Sequence, residues 1–206
     1  MQNSPIIVVV GPTASGKSAL AVRLARQFDW EIISAYSRQV YKGLNIGSGK
    51  ITKREMKGVP HHLLDIASPR RQFTVVQYQK LARRAMEDIT DRGKVPIICG
   101  GTGFYIDALL GRVTIPPVPP NLKLRAKLEK FSTEKLFSKL QTLDKTRAEN
   151  IDHHNRRRLI RAIEIATALG CVPPLVQHRV LDSYHWLNLG IKIAPDKLKE
   201  KINVRL

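Results

Sequence analysis

Hydrophobic positions along this chain alternate between short unbroken runs and a helical rhythm. Residues 5–10 (PIIVVV) are β-branched, continuous and stopped by Gly11 and Pro12, which predicts a strand buried on both faces. Residues 18–28 then set Leu20, Leu24 and Phe28 on one side, with Ala21 and Ala25 beside them, the spacing of a helix. A second short strand is expected over 31–34. Residues 35–60, rich in glycine and polar side chains, read as loop with one helical turn near 53–57. A helix over 75–89 stops before the Arg92-Gly93 turn, a further buried strand spans 95–99, and a short helix after Gly100-Gly101 runs to 110. This alternation predicts an α/β fold, a parallel sheet flanked by helices on both faces.

The pattern then changes. Ile115-Pro116-Pro117-Val118-Pro119-Pro120 is a stiff extended linker, because proline fixes its own φ and biases its predecessor away from helix. Residues 121–130, 133–143 and 155–169 read as three helices with short connections, the third ended by Gly170. A strand over 186–193 returns to the sheet, and Asp196 opens a last helix. The expected organisation is a core of 1–112 and 185–206 carrying an all-helical insert at 113–184. Leu198, Ile202 and Leu206 give the last helix an apolar face, yet the chain stops on it without a cap, so a C-terminally truncated core is expected.

Composition narrows the partners. Hydrophobic residues make up 43% and charged residues 25% of the 206, which excludes wholesale disorder. No apolar run approaches the roughly 20 residues that cross a bilayer. The apolar stretch 6–10, preceded by no basic residue, is too short for a signal peptide. Cys99 and Cys171 are the only cysteines and form no CxxC, so neither a disulfide framework nor a zinc site is expected, and the cytosol is the default location. The formal charge of +18 and pI near 10.3 attract polyanions. Nucleic acid comes before a membrane surface, since no basic amphipathic stretch carries Trp or Phe on its opposite face. A solubility device or an organism-wide basic bias is the bland alternative.

Chemistry enters at residues 11–18. GPTASGKS fits GxxxxGK[ST] and sits between a strand and a helix, the setting this phosphate-binding loop (P-loop) requires. Gly11, Thr13, Ala14, Ser15 and Gly16 would shape the loop, with N–H groups around 14–18 turned inward to hold a diphosphate. Lys17 would neutralise phosphate oxygens, and Ser18 would offer its hydroxyl to a magnesium ion. Enzymes that use ATP or GTP in such a loop place an acidic residue at the end of a second strand. Here 95–99 runs into Gly100-Gly101-Thr102-Gly103 with no carboxylate, which argues against an ordinary NTPase.

Five blocks together resemble the tRNA dimethylallyltransferases: GPTASGKS, EIISA-SRQVYKGLNIG, VPHHLLDI, RGKVPIICGGTGFYIDALL and HNRRRLIRAIEI, in order along nearly the whole chain. The resemblance implies a P-loop NTPase-like core that holds dimethylallyl diphosphate with Mg2+. It implies transfer of the prenyl group to the exocyclic amine of the adenine 3′ of the anticodon in tRNA, with the base turned out of the stack to react. It further implies a helical insert that cups the anticodon stem-loop, and a monomer is expected.

The resemblance also exposes departures. Tyr36 stands where the family carries an aspartate thought to accept the amine proton. A carboxylate with a pKa of about 4 is ready for this at neutral pH and an unperturbed phenol at about 10 is not, so a loss on the order of 10²–10⁴-fold is expected. Asn45 replaces a second family aspartate, and GSGKI replaces the usual threonine, alanine and proline. Ser37, Arg38 and Gln39 match the stretch that contacts the target base, and Thr102 matches the threonine near the reacting amine and diphosphate, a position that also suits a helix N-cap. Lys17, Thr102 and the Tyr36 position form the catalytic set. Tyr41 and Tyr105 suit packing as well as base stacking. His61 and His62 face opposite ways on an extended segment and read as structural rather than metal-binding.

In the insert, Arg157, Arg158 and Arg161 are candidates for tRNA contact, with Leu159, Ile163 and Ala166 turned inward. Arg125 matches a further tRNA-contacting position. Two other readings remain open: a tRNA-binding relative that no longer catalyses, and a P-loop kinase or prenyltransferase acting on free adenine nucleotides.

Overall fold

The computed structural model describes residues 4–174 and 184–205. Strand β1 (Ser4–Val10) shows why its sequence is apolar from Pro5 onward. Ile6 and Val8 face one hydrophobic cluster while Ile7 and Val9 face another, so side chains on both faces of the strand are buried. The same holds for β2 (Glu31–Ser34) and β4 (Pro96–Cys99), in which every residue is buried.

With β3 (His61–His62) and β5 (Tyr184–Gly190), these strands form one sheet in the order β3-β2-β4-β1-β5. Each neighbouring pair is parallel, with Val8 opposite both Ile98 of β4 and Asn188 of β5. Helix α1 (Lys17–Phe28) covers one face through Ala21, Val22 and Ala25. Helices α3 (Val75–Asp91) and α4 (Gly103–Leu109) cover the other through Tyr78, Ala82, Met86, Ile106 and Leu109. Connections leaving β1 and β4 therefore turn to opposite faces, which opens a crevice beyond the carboxyl ends of these adjacent strands, where α/β sheets bind ligands. This is the P-loop-type parallel α/β fold that the strand and helix rhythm predicts.

The helical turn expected near 53–57 is α2 (Lys53–Met56), started by a capping box in which Thr52 accepts from Glu55 N–H and Glu55 accepts from Thr52 N–H. Helix α3 begins with the same device on Thr74 and Gln77. The closing helix is α9 (Pro195–Arg205). Leu198 and Ile202 on it are half-buried, whereas Leu206 lies outside the described residues. Among the described residues no helix is long and apolar enough to cross a membrane.

The chain divides into two compact units, Met1–Val113 with Gln177–Leu206, and Thr114–Val176. The second is helical throughout its described elements: α5 (Leu122–Leu128), α6 (Thr133–Leu143), α7 (Lys145–Glu149) and α8 (Arg156–Leu169). It has its own core, in which Leu128, Leu136, Leu140, Leu159 and Ile163 are nearly or fully buried. Asn121, Ser132, Asp144 and Asn155 each cap the helix that follows by accepting a backbone N–H three residues on. Helix α7 is absent from the sequence expectations because its five residues are too few to show periodicity; the Asp144 cap is its only local signal. Strand β3 is missed for the same reason.

Candidate active site

The loop from β1 to α1 is built to leave N–H groups exposed. Gly16 occupies the cap position of α1 at φ 89°, a left-handed conformation that favours glycine, and no side chain caps the helix there. The first N–H groups of α1 thus lack the side-chain acceptor that caps most other helices of the chain, at the positive end of a three-turn helix. Ala14 also turns left-handed, at φ 60°, which curls the preceding amides inward. Ser15 Oγ is buried with no hydrogen-bond partner among the described residues. Lys17 is only 4% exposed, and its Nζ donates to the Pro12 carbonyl at 2.5 Å.

Two further segments meet this loop at the same end of the sheet. Beyond β2, Tyr36 sets its ring 5.9 Å from Lys17 Nζ, within cation–π range. Beyond β4, Gly100 must be glycine, because a Cβ there would penetrate the carbonyl of Ala35. That close approach lets Thr102 N–H donate to Ala35 O at 3.1 Å. Thr102 stands at the cap position of α4, but its hydroxyl does not cap the helix. It accepts from Ser37 N–H at 3.0 Å and donates to Ser37 Oγ at 3.3 Å, binding the two segments together. Gln39 is buried and its amide donates to the carbonyls of Gly49 at 3.1 Å and Ser48 at 3.4 Å, so it fastens the following loop. Arg38 is exposed. Lys50 pairs with Asp65 at 2.5 Å and secures the other side of that loop, which includes Asn45.

A cavity of about 930 Å3 opens above the loop, lined by residues 14–18, by Tyr36 and by side chains of α1, α2 and α9, among them Arg23, Arg26, Lys57 and Lys201. These cations outnumber the two carboxylates of the lining, Glu55 and Glu200, and motif reading did not single them out. Arg23 and Arg26 could have been found from the helix itself, since they lie one and two turns past Ser18. Cys99 also escaped notice as a site residue. Burial pushes its thiol up to about 11 against the pull of the Lys17 charge and hydrogen bonds with Tyr36 and Ser18, which places it directly beneath the site.

The donor set suits a diphosphate with magnesium. An orphaned buried hydroxyl, inward amides and an ammonium group fit the anion. Magnesium keeps most of its ligands as water and phosphate oxygen, so the single Ser18 hydroxyl on the cavity wall is an adequate protein contact.

The predicted arginine contacts beyond residue 113 belong to the helical unit. Arg125 grips the buried Glu164 with both arms of its guanidinium, at 3.0 and 2.8 Å. Arg161 reaches the same carboxylate at 2.5 Å and the Val118 carbonyl at 2.8 Å. Burial alone would raise the Glu164 pKa, but Arg125, Asn121 N–H and Arg161 outweigh it and hold the carboxyl at about 2. Arg157 and Arg158 are exposed on α8, Arg158 4.0 Å from Asp152. Leu159, Ile163 and Ala166 are buried. Tyr105 packs on Tyr78 with ring centroids 4.1 Å apart, and Tyr41 accepts the Phe73 N–H at 3.0 Å. His62 pairs with Glu31 at 2.8 Å, and His61 donates to Val59 O at 2.8 Å.

Comparison with known proteins extends this picture. The sequence model of the family described as IPP transferase matches residues 39–206. A tRNA dimethylallyltransferase of Thermomicrobium roseum is 42% identical, over 100% of this chain and 64% of its own length. One from Staphylococcus aureus is also 42% identical, over 100% and 69%. The full-length tRNA isopentenylpyrophosphate transferase of Bacillus halodurans superimposes with a TM-score of 0.63 at 36% identity, covering 98% of this chain and 64% of that one. A eukaryotic dimethylallyltransferase acting on tRNA gives 0.80 at 25% identity, over 98% and 52%. The chain therefore spans 64% of the length of the first two bacterial relatives compared by sequence and by structure, and 52% of the eukaryotic one. Sequence match, fold and the order of the motif blocks agree: this chain belongs to the IPP transferase family.

Proposed function

We propose that this chain transfers the dimethylallyl group of dimethylallyl diphosphate to the N6 amine of the adenine 3′ of the anticodon in tRNA, at a rate lowered by Tyr36. One observation carries the reading: the uncapped P-loop, with its buried Lys17, opens on the same cavity as the residue standing at the family's proton-accepting position. The donor's diphosphate lies against the inward amides of 14–18 and Lys17, which take up negative charge as the carbon–oxygen bond breaks. Ser18 would hold a magnesium ion, which would supply further neutralisation of the diphosphate's charge. The Thr102–Ser37 hydrogen bonds hold the segment carrying Tyr36, Arg38 and Gln39 in register with the loop, so that the amine of an everted base meets the allylic carbon. Tyr36 then offers a phenol where a carboxylate would accept the proton directly, and turnover is slow.

For tRNA, the exposed Arg157 and Arg158 of α8 are the cations for phosphate contact, Arg158 beside Asp152, with Arg38 near the base. Arg125 serves them indirectly by fixing α8 to α5 through Glu164, and Arg161 by bracing that carboxylate and the Val118 carbonyl. The protein acts as a monomer in the cytosol in this reading. A second reading, a relative that binds tRNA without catalysing, draws on the same Tyr36. Free adenine nucleotides as acceptors fit the basic helical unit poorly.

Incubation with radiolabelled dimethylallyl diphosphate and unmodified tRNA distinguishes these. Label should appear slowly in tRNA with the natural sequence and on the order of 10²-fold faster with Tyr36→Asp. Stem-loop binding without label transfer by either protein selects the non-catalysing reading. AMP competing as well as tRNA selects free nucleotides.

A further inference from the structure

Tyr36 does more than line the outer cavity. It also borders a second, partly open recess of about 10 Å3, enough for a single water molecule, together with Ser18, Ser34, Cys99 and His61. Tyr36 and Ser18 are therefore part of a shared wall between the two spaces. The placement follows from strand geometry. His61 is opposite Ile32 in the parallel ladder, and Ser34 lies two residues along from Ile32, so all three project from the α1 face of the sheet, as Cys99 does.

Two polar groups in this recess are unusual. Ser34 is only 3% exposed, and its Oγ has no hydrogen-bond partner among the described residues. The lining is mainly apolar, but Ser34, Ser18, Tyr36 and His61 give a single water there the polar partners it needs. His61 donates through Nδ1, because its partner is the Val59 carbonyl, which can only accept. Neutral His61 thus carries its proton on Nδ1 and keeps the Nε2 lone pair as an acceptor. Burial holds its pKa below the usual histidine range, so the acceptor form prevails at neutral pH. The titratable groups facing it are His62 beside it, with Tyr36 and Cys99 across the recess; Glu31 reaches His62 instead.

We infer that His61 is the terminal proton acceptor of a relay that substitutes for the missing carboxylate, passing through Tyr36 and one water bound at Ser34. As the nitrogen–carbon bond forms and diphosphate departs with its electron pair, the amine releases a proton to the Tyr36 oxygen. The phenolic proton, directed at Cys99 Sγ in the resting site, turns to the water, and a proton of that water moves to His61 Nε2. The half-buried imidazolium returns it to solvent. Charge and atoms balance, and no other reactant is needed. The inference rests on the prenyl-transfer reading.

His61→Asn tests it, because the asparagine amide can keep the bond to Val59 O while the Nε2 acceptor is lost. Single-turnover transfer to an unmodified anticodon stem-loop is followed against pH. With natural Tyr36, the rate should rise with pH as His61 deprotonates, and His61→Asn should lower it about 10²-fold and remove that limb. With Tyr36→Asp, the loss on adding His61→Asn should be much smaller. A natural-type rate and profile in His61→Asn, or an equal loss in both backgrounds, overturns the relay. So does transfer by Tyr36→Asp alone, which leaves prenyl transfer standing. No transfer by either protein, with the stem-loop still bound, removes both readings.

Discussion

Glu31, at the first position of β2, secures the end of the sheet remote from the cavity. Its carboxylate is 2% exposed and receives both arms of Arg92, with His62 at 2.8 Å and Lys94 at 3.6 Å. Hydrogen bonding from Arg92 overcomes the cost of burial and lowers its pKa from 4.5 to about 2. The folded value lies below the unfolded one, so this contribution is complete above pH 4.5 and disappears as pH falls toward 2. It amounts to at most about 3 kcal/mol, reduced by the solvent exposure of Arg92. Glu31→Gln should unfold more easily at pH 7 and flatten the stability curve between pH 4.5 and 2 in urea titrations. Glu164, also held at about 2, contributes to the slope that remains in the same window.

At the scale of an element, α8 separates two kinds of arginine that the sequence presents as one cluster. Arg125 of α5 grips Glu164 and ties α5 to α8, Arg161 braces the same carboxylate from within α8, and Arg157 points to solvent. Arg125→Ala should therefore destabilise the protein by about 2–4 kcal/mol, since it strands part of a buried charge whose other partner remains. Arg157→Ala should leave unfolding within about 0.5 kcal/mol of the natural protein. Stem-loop binding should respond in the opposite sense. The slope of log affinity against log salt should fall by about one on removing Arg157. Chemical denaturation and salt-dependent titration of the same two variants separate structural from phosphate-contacting guanidinium groups.

Across the whole molecule, what could be read in advance followed the length of each pattern. Strands β1, β2 and β4, helices α1, α3, α6 and α8, and the phosphate loop were legible, because a buried strand must be apolar on both faces and a covering helix must repeat its apolar side. Strand β3 and helix α7 were not, being too short to establish a period. The site was half legible. The phosphate-loop spacing points to Lys17 and Ser18, and the family resemblance to Tyr36 and Thr102, but neither reveals that Thr102 bonds Ser37 instead of capping α4, nor that Arg125 meets Glu164 39 residues away. Such pairings depend on tertiary placement, which leaves no local trace. Cys99, Ser34 and His61 share a wall only because three strands lie side by side.

Helix α1 begins on a glycine with nothing to shield its first turn, while most other helices here start on a side-chain oxygen. Giving up such an oxygen forgoes about 1 kcal/mol, so the fold is left weakest where the anion belongs. The protein's melting point should thus act as an occupancy gauge. Inorganic pyrophosphate with magnesium, at about a hundred times its dissociation constant, should add about 2.7 kcal/mol and raise the midpoint in differential scanning fluorimetry. Lys17→Met should remain folded and stop responding, because the amides alone hold a dianion too loosely.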